Sequence, residues 1–196
     1  MQTIVFTGHR VDDPDRPEPR FPAEKEPLAA AAIRRALEQE LATDASVVTI
    51  AGGASGGDIL FHEACTELGI ASTLWLAVPP ERYVIESVAP AGATWIDRFW
   101  RVYSRARTIK IVQPTDPVPR WLRDRRDWSV WQLSDLSMLE EAIRRGVEHA
   151  TIMALWNGQQ SGVAGEIAEF ITIGRDEGAR VLILDSGEIF GLDTTQ

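Results

Sequence analysis

The chain has 196 residues, 44% of them apolar and 25% charged, the size and make-up of one globular domain around a single core. Its formal net charge of -9 argues against broad binding along a nucleic-acid backbone, which needs a basic surface. No apolar run reaches the length of a membrane span, no signal peptide opens the chain, and the single Cys65 cannot form an internal disulfide. A cytoplasmic protein without a membrane partner is therefore expected.

In chain order, Thr3-Ile4-Val5-Phe6-Thr7 is a short apolar run closed by Gly8, the pattern of a buried strand. Residues 11 to 23 carry Pro14, Pro17, Pro19 and Pro22 among acids and arginines and read as a long extended loop. Residues 24 to 42 place Leu28, Ala32, Ile33, Ala36, Leu37 and Leu41 at helical spacing. Residues 47 to 51 read as the second strand, 58 to 68 as a helix stopped by Gly69, and 70 to 78 as the third strand. Helical stretches around 84 to 88 and 95 to 106 are broken by Pro90 and Gly92. A short fourth strand is expected at 108 to 112 and a polar connection at 113 to 126. A helix at 127 to 145, a strand at 150 to 156, a helix at 162 to 177 and a last strand at 179 to 184 follow. The tail from Asp185 is expected to be loose. This alternation predicts an α/β fold with a mostly parallel sheet, one domain over 1–185 with a tail at 186–196. In such sheets ligands sit beyond the carboxyl ends of the strands, so the loops after the strands are where chemistry is sought.

Three of those loops stand out. Thr7-Gly8-His9-Arg10 follows the first strand. Arg10 can clamp a phosphate and His9 can donate to it; alternatively Arg10 is a solvated partner of Asp12 or Asp13. Ala51-Gly52-Gly53-Ala54-Ser55-Gly56-Gly57-Asp58 links the second strand to its helix. Glycines at a helix start let a phosphate approach backbone N–H groups, and Ser55 adds a hydroxyl. It is neither a Walker loop nor a dinucleotide fingerprint. Asp58 either caps the helix or binds a ribose hydroxyl. The third loop runs from Trp156 through Gly162 and Gly165 to Glu166. Trp156 stacks on a base or belongs to the core. Glu166 and Glu169, one turn apart, either act as acid–base groups or are the acids that favour any first helical turn.

Taken together, Thr7-Gly8-His9-Arg10, the 51 to 58 loop and Gly162-Val163-Ala164-Gly165-Glu166 resemble the Smf/DprA–LOG (SLOG) superfamily over nearly the whole chain. The resemblance implies a Rossmann-like three-layer sandwich that binds nucleotides or nucleotide-derived molecules. The Gly-His-Arg start resembles a branch of ligand sensors in bacterial signalling or phage defence. The LOG branch instead hydrolyses the N-glycosidic bond of nucleoside monophosphates. There, Pro-Gly-Gly-x-Gly-Thr-x-x-Glu carries the catalytic glutamate. Here Trp156-Asn157-Gly158 stands in place of Pro-Gly-Gly, and the glutamate aligns with either Glu166 or Glu169. The expected ligand is thus nucleotide-like, held by Gly8, His9, Arg10, Gly52, Gly53, Ser55, Gly56, Gly57, Asp58, Trp156, Gly162, Gly165 and Glu166, with no cofactor or metal and a homo-oligomer as the expected assembly.

The stretch from Arg120 to Trp128 mixes arginine and tryptophan, as single-stranded nucleic-acid sites do, but interleaved aspartates favour a packing or self-association surface. Trp128 and Trp131 stand three apart and read as one packed helical face. His62 and Cys65 share a helix without a second cluster, so no metal site is expected there.

Overall fold

A computed structural model describes residues 1–44, 46–159 and 167–192. Six strands form one sheet: β1 (Gln2–Gly8), β2 (Val47–Ala51), β3 (Ala71–Leu76), β4 (Thr108–Ile111), β5 (Ala150–Trp156) and β6 (Arg180–Asp185). All pairings are parallel, in the order β4-β3-β2-β1-β5-β6. The helices are α1 (Glu26–Thr43), α2 (Gly57–Glu67), α3 (Pro80–Ser87), α4 (Ala93–Arg105), α5 (Val130–Arg144), α6 (Ile167–Asp176) and α7 (Ser186–Phe190). The architecture is the expected Rossmann-like α/β sandwich.

Both faces of the sheet are covered, and the strand residues divide by parity. Ile4, Phe6, Met153 and Leu155 join α1, α2, α4 and α7 on one side. Val5, Ile152 and Ala154 join α5 and α6 on the other. Alternate side chains of a strand point to opposite faces, so two buried faces require the continuous apolar runs seen in the sequence. Strands are added in one direction from β1 to β4, and the chain then returns to β5 beside β1. Right-handed crossovers force the helices onto the opposite face when the direction reverses. The reversal opens a crevice between β1 and β5 at their carboxyl ends.

Three expectations change. The tail after Asp185 is not loose over the described residues: 186–190 form α7, with Phe190 buried against Phe21 at a ring separation of 5.2 Å. The Asp185 carboxylate caps α7, accepting from the N–H groups of Gly187 (2.8 Å) and Glu188 (3.2 Å). Phe21 in turn anchors the proline-rich loop, while Asp12 Oδ2 accepts from the N–H groups of Arg20 and Phe21, both at 2.7 Å. Trp128 and Trp131 do not share a helical face, because Ser129 caps α5 between them: its hydroxyl accepts from Gln132 N–H, and Gln132 Oε1 accepts from Ser129 N–H. The helix expected from 127 therefore starts at Val130. No helix among the described residues is long and apolar enough to cross a membrane.

Candidate functional site

Because helices run back against parallel strands, their first turns gather at the strands' carboxyl ends. A cavity of about 620 Å³ lies there, over the β1–β5 crevice. The end of β1 and its loop contribute Gly8, His9 and Arg10; α2 contributes Asp58; α3 contributes Tyr83; α5 contributes Trp131, Gln132 and Asp135. Trp156, at the end of β5, and Glu169, in α6, close it, and Arg20 reaches it from the proline-rich loop.

The crevice is fastened by His9. Its N–H donates to Leu155 C=O (3.1 Å), extending the β1–β5 pairing by one residue. Its buried ring engages Asn157 in either tautomer, with Nε2 3.1 Å from the side-chain oxygen and 3.3 Å from the backbone N–H. Burial, aided by the positive charge of Arg20, pushes the His9 pKa down to about 4, so the ring is neutral at neutral pH. Arg10 does not pair with Asp12 or Asp13: its guanidinium donates to Glu86 C=O (3.2 Å), and Asp12 pairs with Arg16 instead.

The glycine loop is organised differently from an open phosphate cradle. Gly53 N–H donates to the Tyr83 hydroxyl (3.0 Å) and Ala54 N–H to Asp58 Oδ2 (3.2 Å). Ser55 N–H donates to Ser87 C=O (3.0 Å) and Gly57 N–H to His9 C=O (3.1 Å). Four N–H groups of the loop are thus engaged by the protein itself. Gly56, with φ of 102°, pairs with Arg10 in an antiparallel bridge, and a Cβ there would lie 2.8 Å from His9 O and Val11 N. At Gly52 a Cβ would lie 2.6 Å from Asp58 Oδ2. These glycines let the two loops and the Asp58 carboxyl close together. Gly52, Gly53, Ser55, Gly56 and Gly57 stand behind the cavity wall, which Ala54 and Asp58 face.

Asp58 therefore neither caps its helix, whose cap is Gly56, nor stands free: it folds the loop over α2. His62 supports the same loop from beneath. Its Nε2 lies 2.8 Å from Gly52 C=O, an acceptor only, so Nε2 carries the proton and Nδ1 accepts from Ser72. Burial pushes its pKa down to about 4. Cys65, whose thiol burial pushes up to about 12, lies 3.5 Å from the Thr49 hydroxyl. Both side chains are absorbed in the fold.

Two carboxyls face the cavity from opposite layers. Burial pushes Asp58 up to about 7, against the Ala54 hydrogen bond and the charge of Arg10, which pull it down. Asp135 is pushed up to about 7 by burial and by the negative charge of Asp58. Burial and the Asp58 charge also raise Tyr83, whose ring lies 5.3 Å from that of Trp131. Trp156 donates from Nε1 to Gln159 C=O (3.0 Å) and is only partly buried at the rim. Glu169 reaches the cavity wall in an ion pair with Arg125. Gly162, Gly165 and Glu166 lie outside the described residues.

Reading the loops alone misses Arg20, Tyr83, Trp131, Gln132 and Asp135. The signature Ser129-x-x-Gln132 could have located the first turn of α5, and with it the cavity-facing residues. No periodicity distinguishes Asp135 from a solvated acid. The mixed stretch after 120 is docked along α6 and its end: Arg125 pairs with Glu169 of the helix, Arg120 pairs with Glu177 just past it, and Trp121 Nε1 donates to Glu177 (3.1 Å).

No known protein family matches the chain, and neither does any curated protein. A solved structure similar to it is the X-ray structure of DNA processing protein A (DprA) from Streptococcus pneumoniae, with 11% identity and a TM-score of 0.39. The match covers 100% of this chain and 62% of that one, so the chain spans under two thirds of that protein's length. At this score the likeness says nothing about activity.

Proposed function

We propose that the protein binds a nucleotide or nucleotide-derived small molecule in the cavity over the β1–β5 crevice, and that it serves as a ligand sensor of the kind the loop resemblance implies. The observation that carries this reading is the convergence of opposite chemistries on one cavity: arginines from the β1 side, and carboxyls from α2 and α5. A nucleotide has the same polarity, an anionic phosphate at one end and hydroxyl or N–H groups at the other. The volume of about 620 Å³ suits such a ligand, and Trp131 and Trp156 offer flat apolar faces to a base. With four loop N–H groups engaged by the protein, the phosphate charge falls to Arg10 and Arg20.

Calorimetric titration with a panel of nucleotides tests the reading, with chromatography of the same mixtures. Saturable binding without free base supports a sensor. Released base moves the reading to N-glycosidic hydrolysis, with Glu166 or Glu169 as the acting carboxylate. A salt-dependent mobility shift with single-stranded DNA moves it to nucleic acid. Absence of all three with the fold intact overturns it.

A further inference from the structure

The cavity and the C-terminal helix meet in two adjacent residues of the proline-rich loop. Arg20 lines the cavity. Phe21, next to it, is buried in the core, with its ring 5.2 Å from that of Phe190 in α7. The neck of the loop is closed at this point. Asp12 N–H donates to Phe21 C=O (2.9 Å), and Asp12 Oδ2 accepts from the N–H groups of Arg20 and Phe21, both at 2.7 Å. Residues 13–15 and 17–19 are exposed, so Phe21 anchors this end of the loop in the core.

α7 is five residues long, too short to persist without tertiary contacts. Phe190 is its large buried side chain, with Ile189 and Leu192 partly buried around it. The helix therefore depends on the seat that Phe21 helps to form. A phosphate clamped by Arg20 restrains that residue's backbone, and with it Phe21, which shares the Asp12 carboxylate. What steadies one end of this chain of contacts steadies the other, and such coupling between two sites is reciprocal.

We propose that Arg20, Phe21 and Phe190 couple the cavity to the C-terminal helix, so that a phosphate seated on Arg20 tightens α7 onto the core. The proposal rests on the nucleotide-binding reading and goes beyond it by naming the element that responds to the ligand.

Residue-resolved amide hydrogen exchange of the full chain tests it, free and saturated with whichever of AMP, GMP, CMP and UMP binds tightest. The N–H groups of Gly191 and Leu192, bonded to Glu188 C=O and Gly187 C=O, report on α7. Saturation slows their exchange by at least about fivefold, the lower end of ordinary coupling between sites. The matching nucleoside, without its phosphate, leaves their exchange unchanged. Arg10→Ala, saturated at higher concentration, keeps the slowing; Arg20→Ala, saturated likewise, loses it. In the ligand-free protein, Phe190→Leu speeds exchange of the Arg20 and Phe21 amides more than that of the β2 amides, and by reciprocity it weakens binding of the monophosphate. No slowing in the saturated wild type, equal slowing in Arg20→Ala, or a uniform rise in exchange across Phe190→Leu overturns the coupling while nucleotide binding stands. The wild type and the two arginine variants decide the matter even where Phe190→Leu does not fold. Failure of every nucleotide to bind the folded wild type overturns both readings.

Discussion

Asp58 on α2 and Asp135 on α5 belong to opposite layers of the sandwich, yet they face one cavity, and the charge of Asp58 helps to raise the pKa of Asp135. Only the carboxyl end of the sheet lets the two layers meet in this way, because the helices of both layers start there. The pair gives the site its character: partly buried acids that lack a strong cationic partner among the described residues and take up hydrogen-bond donors readily.

The pair makes stability depend on pH. Asp135 has a folded pKa of about 7, above its ordinary value of 3.8. The folded state therefore binds the proton more tightly, and the associated stability is present in acid and lost as pH rises through about 7. Asp135→Asn lacks that loss. Urea unfolding at about pH 4 and pH 8 should show the variant gaining on the wild type, by on the order of 2 kcal/mol at the higher pH. A constant difference across that range would show that Asp135 is not held in this environment.

His62 acts with the opposite sign. Its folded pKa of about 4 lies below the ordinary 6.5, so its contribution is lost as pH falls from about 6.5 to 4. His62→Ala should flatten this part of the stability profile. At neutral pH it should cost about 2–4 kcal/mol, because Gly52 C=O and Ser72 lose their partner and a buried void remains. Chemical denaturation at about pH 5 and pH 7 measures both effects; an unchanged slope with pH would contradict the neutral, buried assignment.

The clasp between the first two strand-end loops predicts unequal costs for two glycines. Gly56→Ala meets His9 O and Val11 N at 2.8 Å in addition to its φ of 102° and should cost upward of about 3 kcal/mol. Gly69 has φ of 70°, but nothing lies within 4 Å of where an added methyl group would sit, so Gly69→Ala should cost only about 1–2 kcal/mol. Equal unfolding midpoints for the two variants would mean that the loops are not clasped.

The alternation of strands and helices was legible because period-2 and helical spacings are local. Gly8 to Arg10 and the 51 to 58 loop stood out as strand-end loops, and the fold brings them together through the Gly56–Arg10 bridge. What the sequence concealed was the purpose of those glycines. A cluster that admits a phosphate also admits another backbone, and the choice depends on partners such as Tyr83 and Ser87, 30 or more residues away. Asp135 was equally hidden, since a single acid on an amphipathic helix looks the same whether it meets solvent or a cavity. The buried end of the chain is a similar case: Phe190 finds Phe21 only in the folded state.

That contact predicts that Phe190→Ala costs about 3–5 kcal/mol, the range for emptying a buried aromatic site. Thermal unfolding would record it as a fall in midpoint of many degrees. A change within about 0.5 kcal/mol would restore the view of a loose tail.

Arg10 is exposed, and among the described residues its side chain bonds only the Glu86 carbonyl, so Arg10→Ala should leave the unfolding midpoint almost unchanged. It should weaken binding of a nucleoside monophosphate by roughly tenfold or more, the effect of losing a charge-assisted phosphate contact. Loss of binding to a dephosphorylated nucleoside by the same factor would place Arg10 away from the phosphate.

The most direct measurement is calorimetric titration of the intact protein with the common nucleoside monophosphates, repeated on Asp58→Ala and Asp135→Ala variants whose folding is verified by circular dichroism. Saturable binding at one site, weakened in both variants, is the result predicted for a nucleotide seated over the β1–β5 crevice. A folded wild type that binds none of them, or binding that neither variant alters, would contradict it.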